Sequence, residues 1–332
     1  MTIHLVPLNE SELLGLLQSR AQRSSHTLTN DPSQAELILL AGSFGRDPAL
    51  LLQHPLYHRY PDRCAVYTED DNYLPLAPGV YCSAQVDAHS QAGRTFSYSY
   101  ISRDGQYSNP FVASPETPPG KSLLFSFQGG STSLLRKRLF NVSFNRPDVL
   151  IENTSSYFHW DLNQPGRESR QQRYAETLAS SHFVLCPRGA GTGSIRLFEV
   201  MSAGIAPVLI SDAYLLPPGP AWDDFLLRIP EKDIARLPEL LEPHIPSSPD
   251  RGRKAQQAWL EHFSPEHEFN AIIRLCQASL HHGPPSEDVF RKQQARIVRR
   301  AIMRRALRSF ARSAVLQILK TLHLKSPYQM NR

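Results

Sequence analysis

Ser181-His182-Phe183-Val184-Leu185-Cys186-Pro187, then Arg188-Gly189-Ala190-Gly191-Thr192-Gly193, then Ser194-Ile195-Arg196-Leu197-Phe198-Glu199-Val200-Met201-Ser202-Ala203-Gly204, lead without interruption into Ala206-Pro207-Val208-Leu209-Ile210. Phe183–Cys186 and Ala206–Ile210 are apolar and read as strands, near-continuous as in strands buried on both faces. Between them lies a turn with three glycines. Ser194 suits a helix N-cap, and Gly204 stands where the left-handed C′ residue belongs. Strand, glycine turn, helix and strand make a βαβ unit, which predicts a parallel sheet in an α/β fold.

The glycine turn is where chemistry is expected. Glycine lets the backbone approach a ligand closely, and the unpaired N–H groups at a helix start favour an anion. Arg188 and Arg196 flank the turn, with planar forks suited to phosphate oxygens. Arg196 in a first helical turn opposes the helix dipole, an objection that an anionic ligand removes. Glu199 lies one turn on, placed either to accept from ribose hydroxyls or to form an ordinary ion pair with Arg196. The spacing is neither a P-loop, for want of Gly-Lys-Ser/Thr, nor the G-x-G-x-x-G fingerprint.

Outward from this unit, further strands are predicted at Glu36–Gly42, Cys64–Thr68, Val80–Ser83 and Lys121–Phe127, with helices at Glu12–Gln18, Leu134–Phe140 and Arg170–Ser180. Residues 150–170 are polar and irregular and read as a domain boundary. The helix at Leu134–Phe140 carries Arg136, which either reaches a ligand or is a surface charge. Cys186, in a buried strand, reads as structural.

The chain has 332 residues, 41% hydrophobic and 20% charged, a composition that points to a globular protein with room for two domains. No apolar run is long enough to span a membrane, and the first residues lack a secretory pattern. Four cysteines at 64, 82, 186 and 276 lack metal-ligand spacing, which fits a reducing, cytoplasmic setting. Charge is unevenly spread. The last 44 residues, from Val289, hold twelve of the 36 Lys and Arg and none of the 31 Asp and Glu, so the preceding residues are net negative. That body argues against a nucleic-acid binder. Arg296, Arg300, Arg304, Arg308 and Arg312 recur every four residues beside Met303, Leu307, Phe310, Ala314, Ile318 and Leu322, a basic amphipathic helix. Its apolar face either lies on an anionic membrane, making the protein peripheral at the inner face, or packs back on the body.

The blocks Ser181–Gly189, Ser194–Val200 and Ala203–Asp212, continued by Tyr214-Leu215-Leu216-Pro217, Trp222-Asp223 and Ile229–Ile234, resemble the core of the exostosin family of glycosyltransferases. With Phe125–Gly130 and Arg136 as an upstream element, the likeness covers about residues 120–265; the first 120 residues resemble the family weakly. The resemblance implies a GT-B fold, two Rossmann-like domains facing across a cleft. It would place an acceptor domain at 1–168, a nucleotide-sugar domain at 169–288 and the basic helical tail at 289–332. It implies transfer from a nucleotide-sugar, typically a UDP-sugar, to a glycan or lipid-linked acceptor in polysaccharide or glycoconjugate synthesis, without a metal or other cofactor. Arg188, Arg196 and the amides near Gly193 and Ser194 would hold the diphosphate, and Glu199 the ribose. Tyr214 and Trp222 either line the sugar pocket or belong to the core, and Asp212 either touches the donor or caps a turn. An inverting transfer needs a base across the cleft, for which Asp70 and Asp71 stand directly after a strand, with Glu69 and His89 as rivals. The alternative is a catalytically silent relative that binds a glycan or a partner glycosyltransferase.

Overall fold

The first half alternates strand and helix in the order β1 (Thr2–Pro7), α1 (Leu13–Ala21), β2 (Thr27–Leu28), β3 (Leu37–Ala41), α2 (Ala49–Leu52), α3 (Pro55–Arg59), β4 (Cys64–Thr68), β5 (Gly79–Tyr81) and β6 (Thr95–Phe96). Its sheet runs β2-β1-β3-β4-β5-β6, with every pair parallel. The second half continues with β7 (Leu123–Gly129), α4 (Leu134–Phe140), β8 (Val149–Asn153), α5 (Arg167–Ala179), β9 (Ser181–Pro187), α6 (Ile195–Ser202), β10 (Ala206–Ile210), β11 (Leu227–Arg228), α7 (Leu237–Leu241), α8 (Ser248–His262) and α9 (Glu268–His281). Its sheet is again parallel throughout, ordered β11-β10-β9-β7-β8. The fold class is therefore α/β with two parallel sheets.

The computed structural model describes residues 1–86, 93–112, 120–157 and 161–281, with Ala295, Val298, Arg299, Ile302, Met303, Ala306, Leu307 and Phe310. Two compact units form: Met1–Tyr73 with Ala77–His282, which holds both sheets, and Leu74–Leu76 with the chain beyond residue 282. The described residues from 295 to 310 are helical, as the amphipathic pattern predicts. His89 and the tail residues Arg296, Arg300, Arg304, Arg308, Arg312, Ala314, Ile318 and Leu322 lie outside the described residues.

The strand β9 shows why the decisive run is uniformly apolar. Phe183 and Leu185 enter one core cluster with Phe125, Phe127, Leu135 and Val208. Val184 and Cys186 enter another with Leu197, Phe198 and Met201. Both faces are covered along Phe183–Cys186, so these positions take apolar side chains, while Ser181 and His182 at the start of the strand hydrogen-bond to Ser126 and Ser248. Gly204 takes φ 70°, the left-handed value of a C′ residue.

Three expectations about the organisation need correction. The strand at Lys121–Phe127 does not close the first half; β7 lies between β9 and β8, so the passage between sheets falls between Phe96 and Leu123. Residues 150–170 are not wholly irregular, because β8 occupies Val149–Asn153. It is a half-buried edge strand, whose polar surroundings hide its short apolar run. Finally, α9 packs on β4 and β5 of the first sheet and on α1, so the chain returns to its first half. Arg20 of α1 and Arg103 grip the buried Glu268 of α9 at 2.8 and 2.9 Å.

Each sheet has one place where the connections part in opposite directions. In the second it lies between β7 and β9, and in the first between β1 and β3. In open parallel sheets, such a point leaves a crevice at the strands' C-terminal ends, where ligands bind.

Candidate functional site

At the crevice of the second sheet, two strands end in glycine turns and feed helices with an arginine in their first turn. After β7 come Gly129-Gly130-Ser131-Thr132-Ser133 and then α4 with Arg136; after β9 come Arg188–Ser194 and then α6 with Arg196. Ser133 caps α4 by accepting from the Arg136 amide at 3.2 Å. Its hydroxyl donates in turn to the Arg188 carbonyl at 3.1 Å, tying the two turns together.

Both arginine heads converge on one ring. The Arg136 guanidinium lies 5.4 Å and that of Arg196 4.7 Å from the centroid of Phe127 in β7. Arg136 donates to the carbonyls of Pro187, Arg188 and Gly130. Arg196 donates to the Gln128 carbonyl and, through Nε, to the Tyr174 hydroxyl at 3.2 Å. Among the described residues, neither forms an ion pair with a carboxylate. Burial and the neighbouring Arg196 push the Arg136 pKa down to about 9, which leaves it charged at neutral pH. Two half-buried like charges, neither in direct contact with a carboxylate among the described residues, suit an anion.

The other residues expected here are placed differently. Arg188 is neutralised by a bidentate pair with Glu231, Nε to Oε1 at 2.6 Å and Nη2 to Oε2 at 3.1 Å. Glu199 does not pair with Arg196 directly. It accepts from the Tyr174 hydroxyl at 2.9 Å, which also accepts from Arg196, so a tyrosine from α5 stands between them. Gly193 and Ser194 do not present an open helix start. A Cβ at Gly193 would run into the Tyr100 hydroxyl and lie 2.6 Å from the Cys82 carbonyl. Ser194 is buried, and its Oγ finds no hydrogen-bond partner. The first half fills the space the sequence assigned to a ligand; these glycines serve a close approach of backbone to protein. The open part of the turn is Gly189 and Ala190, where a Gly189 Cβ would meet Thr132 Oγ1 at 3.3 Å and Arg136 Nη2 at 3.5 Å.

The two candidate bases also separate. Asp70 is held in the loop after β3: one carboxylate oxygen accepts from the Phe44 and Gly45 amides at 2.9 and 2.8 Å, the other from the Ser43 hydroxyl. Its lone pairs are committed to that loop. Asp71 is exposed, accepts from the Gly191 amide at 3.2 Å and so faces the second sheet's glycine turn. Desolvation holds the Asp71 carboxyl above the usual carboxylate range, against the Gly191 amide and the charge of Arg136. Glu69 accepts from Tyr67 and Ser102, and burial raises its pKa; it is a structural acid. Asp212 accepts from the Glu231 amide, 19 residues on, rather than from the turn that follows it. Tyr214 and Trp222 are buried in the core, and the four cysteines are buried and free.

The exostosin GT47 domain profile matches residues 106–243, a span that holds Arg136, Phe127, Tyr174, Arg196 and Glu199. Residues 106–243 are thus similar to an exostosin GT47 domain. Relatives of this domain include the Exostosin-1 homolog of Caenorhabditis elegans, 30% identical over 131 residues, which is 37% of this chain and 33% of that protein. Exostosin-1 of Drosophila melanogaster is 31% identical over 144 residues, 38% of this chain and 19% of that one. A probable glucuronoxylan glucuronosyltransferase, IRX7 of Arabidopsis thaliana, is 39% identical over 71 residues, 21% and 16% of the two chains. The chain thus matches a third or less of these relatives' lengths. Asp71 lies before the matched span.

Sequence reasoning left Arg136 undecided and missed Tyr174. For Arg136 a signal existed: the strand, glycine turn, serine before the helix and early arginine of β7–α4 repeat the pattern of β9–α6. Tyr174 gave none, since a tyrosine in a polar helix declares no partner.

Proposed function

We propose that this chain is a glycosyltransferase that moves a sugar from a nucleotide-sugar, a UDP-sugar, to a glycan acceptor with inversion, on a GT-B arrangement of its two sheets. The observation that carries the reading is the pair Arg136 and Arg196, both over Phe127 at the topological crevice and neither ion-paired among the described residues. The matched GT47 domain supports the same reaction class.

In this reading the donor's diphosphate lies against Arg136 and the Gly189–Ala190 edge, with Arg196 behind. Charge grows on the diphosphate as its bond to the anomeric carbon breaks, and fixed guanidinium groups stabilise that charge without reorganising. The acceptor oxygen forms the new bond from the opposite side, and its proton passes to Asp71. Protein cations supply the counter-charge, so a metal is not required by this scheme. Glu199, held by Tyr174, keeps one carboxylate oxygen for a donor hydroxyl.

The test is calorimetry with UDP together with UDP release from a panel of UDP- and GDP-sugars. Arg136→Lys keeps a charge but loses the fork. It is expected to weaken UDP binding by roughly 1.5–3 kcal/mol, the worth of a charged hydrogen bond. Unchanged affinity in a variant of unaltered thermal unfolding removes Arg136 from the site. UDP binding without sugar transfer from any donor would leave a silent, glycan-binding relative.

A further inference from the structure

Among the described residues from 295 to 310, all helical, four large apolar side chains are exposed. Ile302, Met303, Leu307 and Phe310 are 61, 54, 64 and 76% exposed. At 3.6 residues per turn they fall within an arc of about 140°, a single face. Four large apolar side chains exposed side by side are unusual on a soluble surface and mark a contact site. The charge around them selects the occupant. The segment from Val289 to Arg332 holds twelve Lys and Arg and no Asp or Glu. Pairing this helix with a second copy of itself would bring like charges together. An anionic surface that also accepts apolar side chains satisfies both features at once, and such a surface is a bilayer rich in acidic lipids. No described helix is long and apolar enough to cross a membrane, so the contact is with the interface.

We propose that this helix lies in the interface of an anionic membrane, its Ile302–Phe310 face among the acyl chains and its basic residues at the headgroups. The inference is independent of the transferase reading, since it uses none of the groups at the β7–β9 crevice. It has a consequence for acceptor choice: an enzyme held at a bilayer works on acceptors that lie there.

The test is co-sedimentation of the full chain with vesicles of phosphatidylcholine alone and of equimolar phosphatidylcholine and phosphatidylglycerol. Binding is expected to the anionic vesicles only and to fall as salt screens the headgroups. The double variant Leu307→Glu, Phe310→Glu is expected to bind about tenfold or more weakly, the loss that follows from withholding two large apolar side chains. Its thermal unfolding and UDP affinity should match wild type, because both positions are exposed. Asp71→Asn should sediment like wild type. Equal binding to both vesicle types, or no difference between wild type and the double variant, overturns the proposal. So does light scattering that shows a dimer abolished by the same two substitutions in a chain that does not sediment with vesicles, because a second copy is then the occupant.

Discussion

Asp71→Asn is expected to lower turnover by at least about a hundredfold, the usual contribution of a positioned base, while UDP affinity stays unchanged. The substitution is isosteric. The side-chain oxygen that remains still accepts from the Gly191 amide, so the turn that Asp71 meets is kept, and the exposed position tolerates the loss of charge. What disappears is the lone pair that takes the acceptor proton. Asp70→Asn is the matched control. It retains an oxygen for the Phe44 and Gly45 amides and should lose little turnover, because the Asp70 carboxylate faces the loop after β3. Since desolvation raises the Asp71 pKa, the acid limb of kcat/KM in wild type should lie above the ordinary carboxylate range. Activity rises as pH passes upward through that pKa and Asp71 ionises; the limb should vanish in Asp71→Asn. Equal turnover in wild type and Asp71→Asn would place the base elsewhere.

The second large effect is on folding. Glu268→Ala is expected to cost about 3–5 kcal/mol, the penalty for breaking a buried ion pair from one side. Glu268 is fully buried, and Arg20 and Arg103 reach it with side chains only 9 and 5% exposed. Burial pushes its carboxyl pKa up to about 6, against the pull of Arg103 and Arg20, so the pairs are ionic at neutral pH. Without Glu268, two buried guanidinium groups share the half-exposed Asp104. The damage should spread to the first sheet, because α9 covers β4 and β5, and β4 leads directly to Asp70 and Asp71. Denaturant unfolding checks this. Glu268→Gln, which keeps an acceptor, should lose less; a loss below about 1 kcal/mol for the alanine variant would contradict the account.

Much of the second sheet was legible because its physics is local. An apolar run buried on both faces, a glycine turn and a C′ glycine each act within a few residues, so β9, α6 and β10 can be read directly, although Ser194 at the start of α6 makes no side-chain capping bond. The first sheet was legible in its central strands, β3 and β4, and less so at β1, whose alternation is short. The placement of β7 was not legible. Its composition suits either sheet, and only pairing with β9, including the Ser181 to Ser126 hydroxyl bond at 2.8 Å, assigns it.

The site divides in the same way. From the chain alone came the parallel α/β unit, the importance of the turn after β9, and a short set of charged residues near it: Arg188, Arg196, Glu199, Asp70 and Asp71. Which of those charges remain available is a question of neighbours far away in the chain, and the tertiary structure answers it. Glu231 consumes Arg188, 43 residues away. Tyr174 separates Arg196 from Glu199. Tyr100 and Cys82 cover the start of α6, and Ser43 and its neighbours claim Asp70. Arg136 and Asp71 gain their standing only when β7 comes to lie beside β9 and the ends of the first sheet meet that turn. A residue's chemistry is set by its type, but its free charge and open lone pairs are set by what folding brings against it.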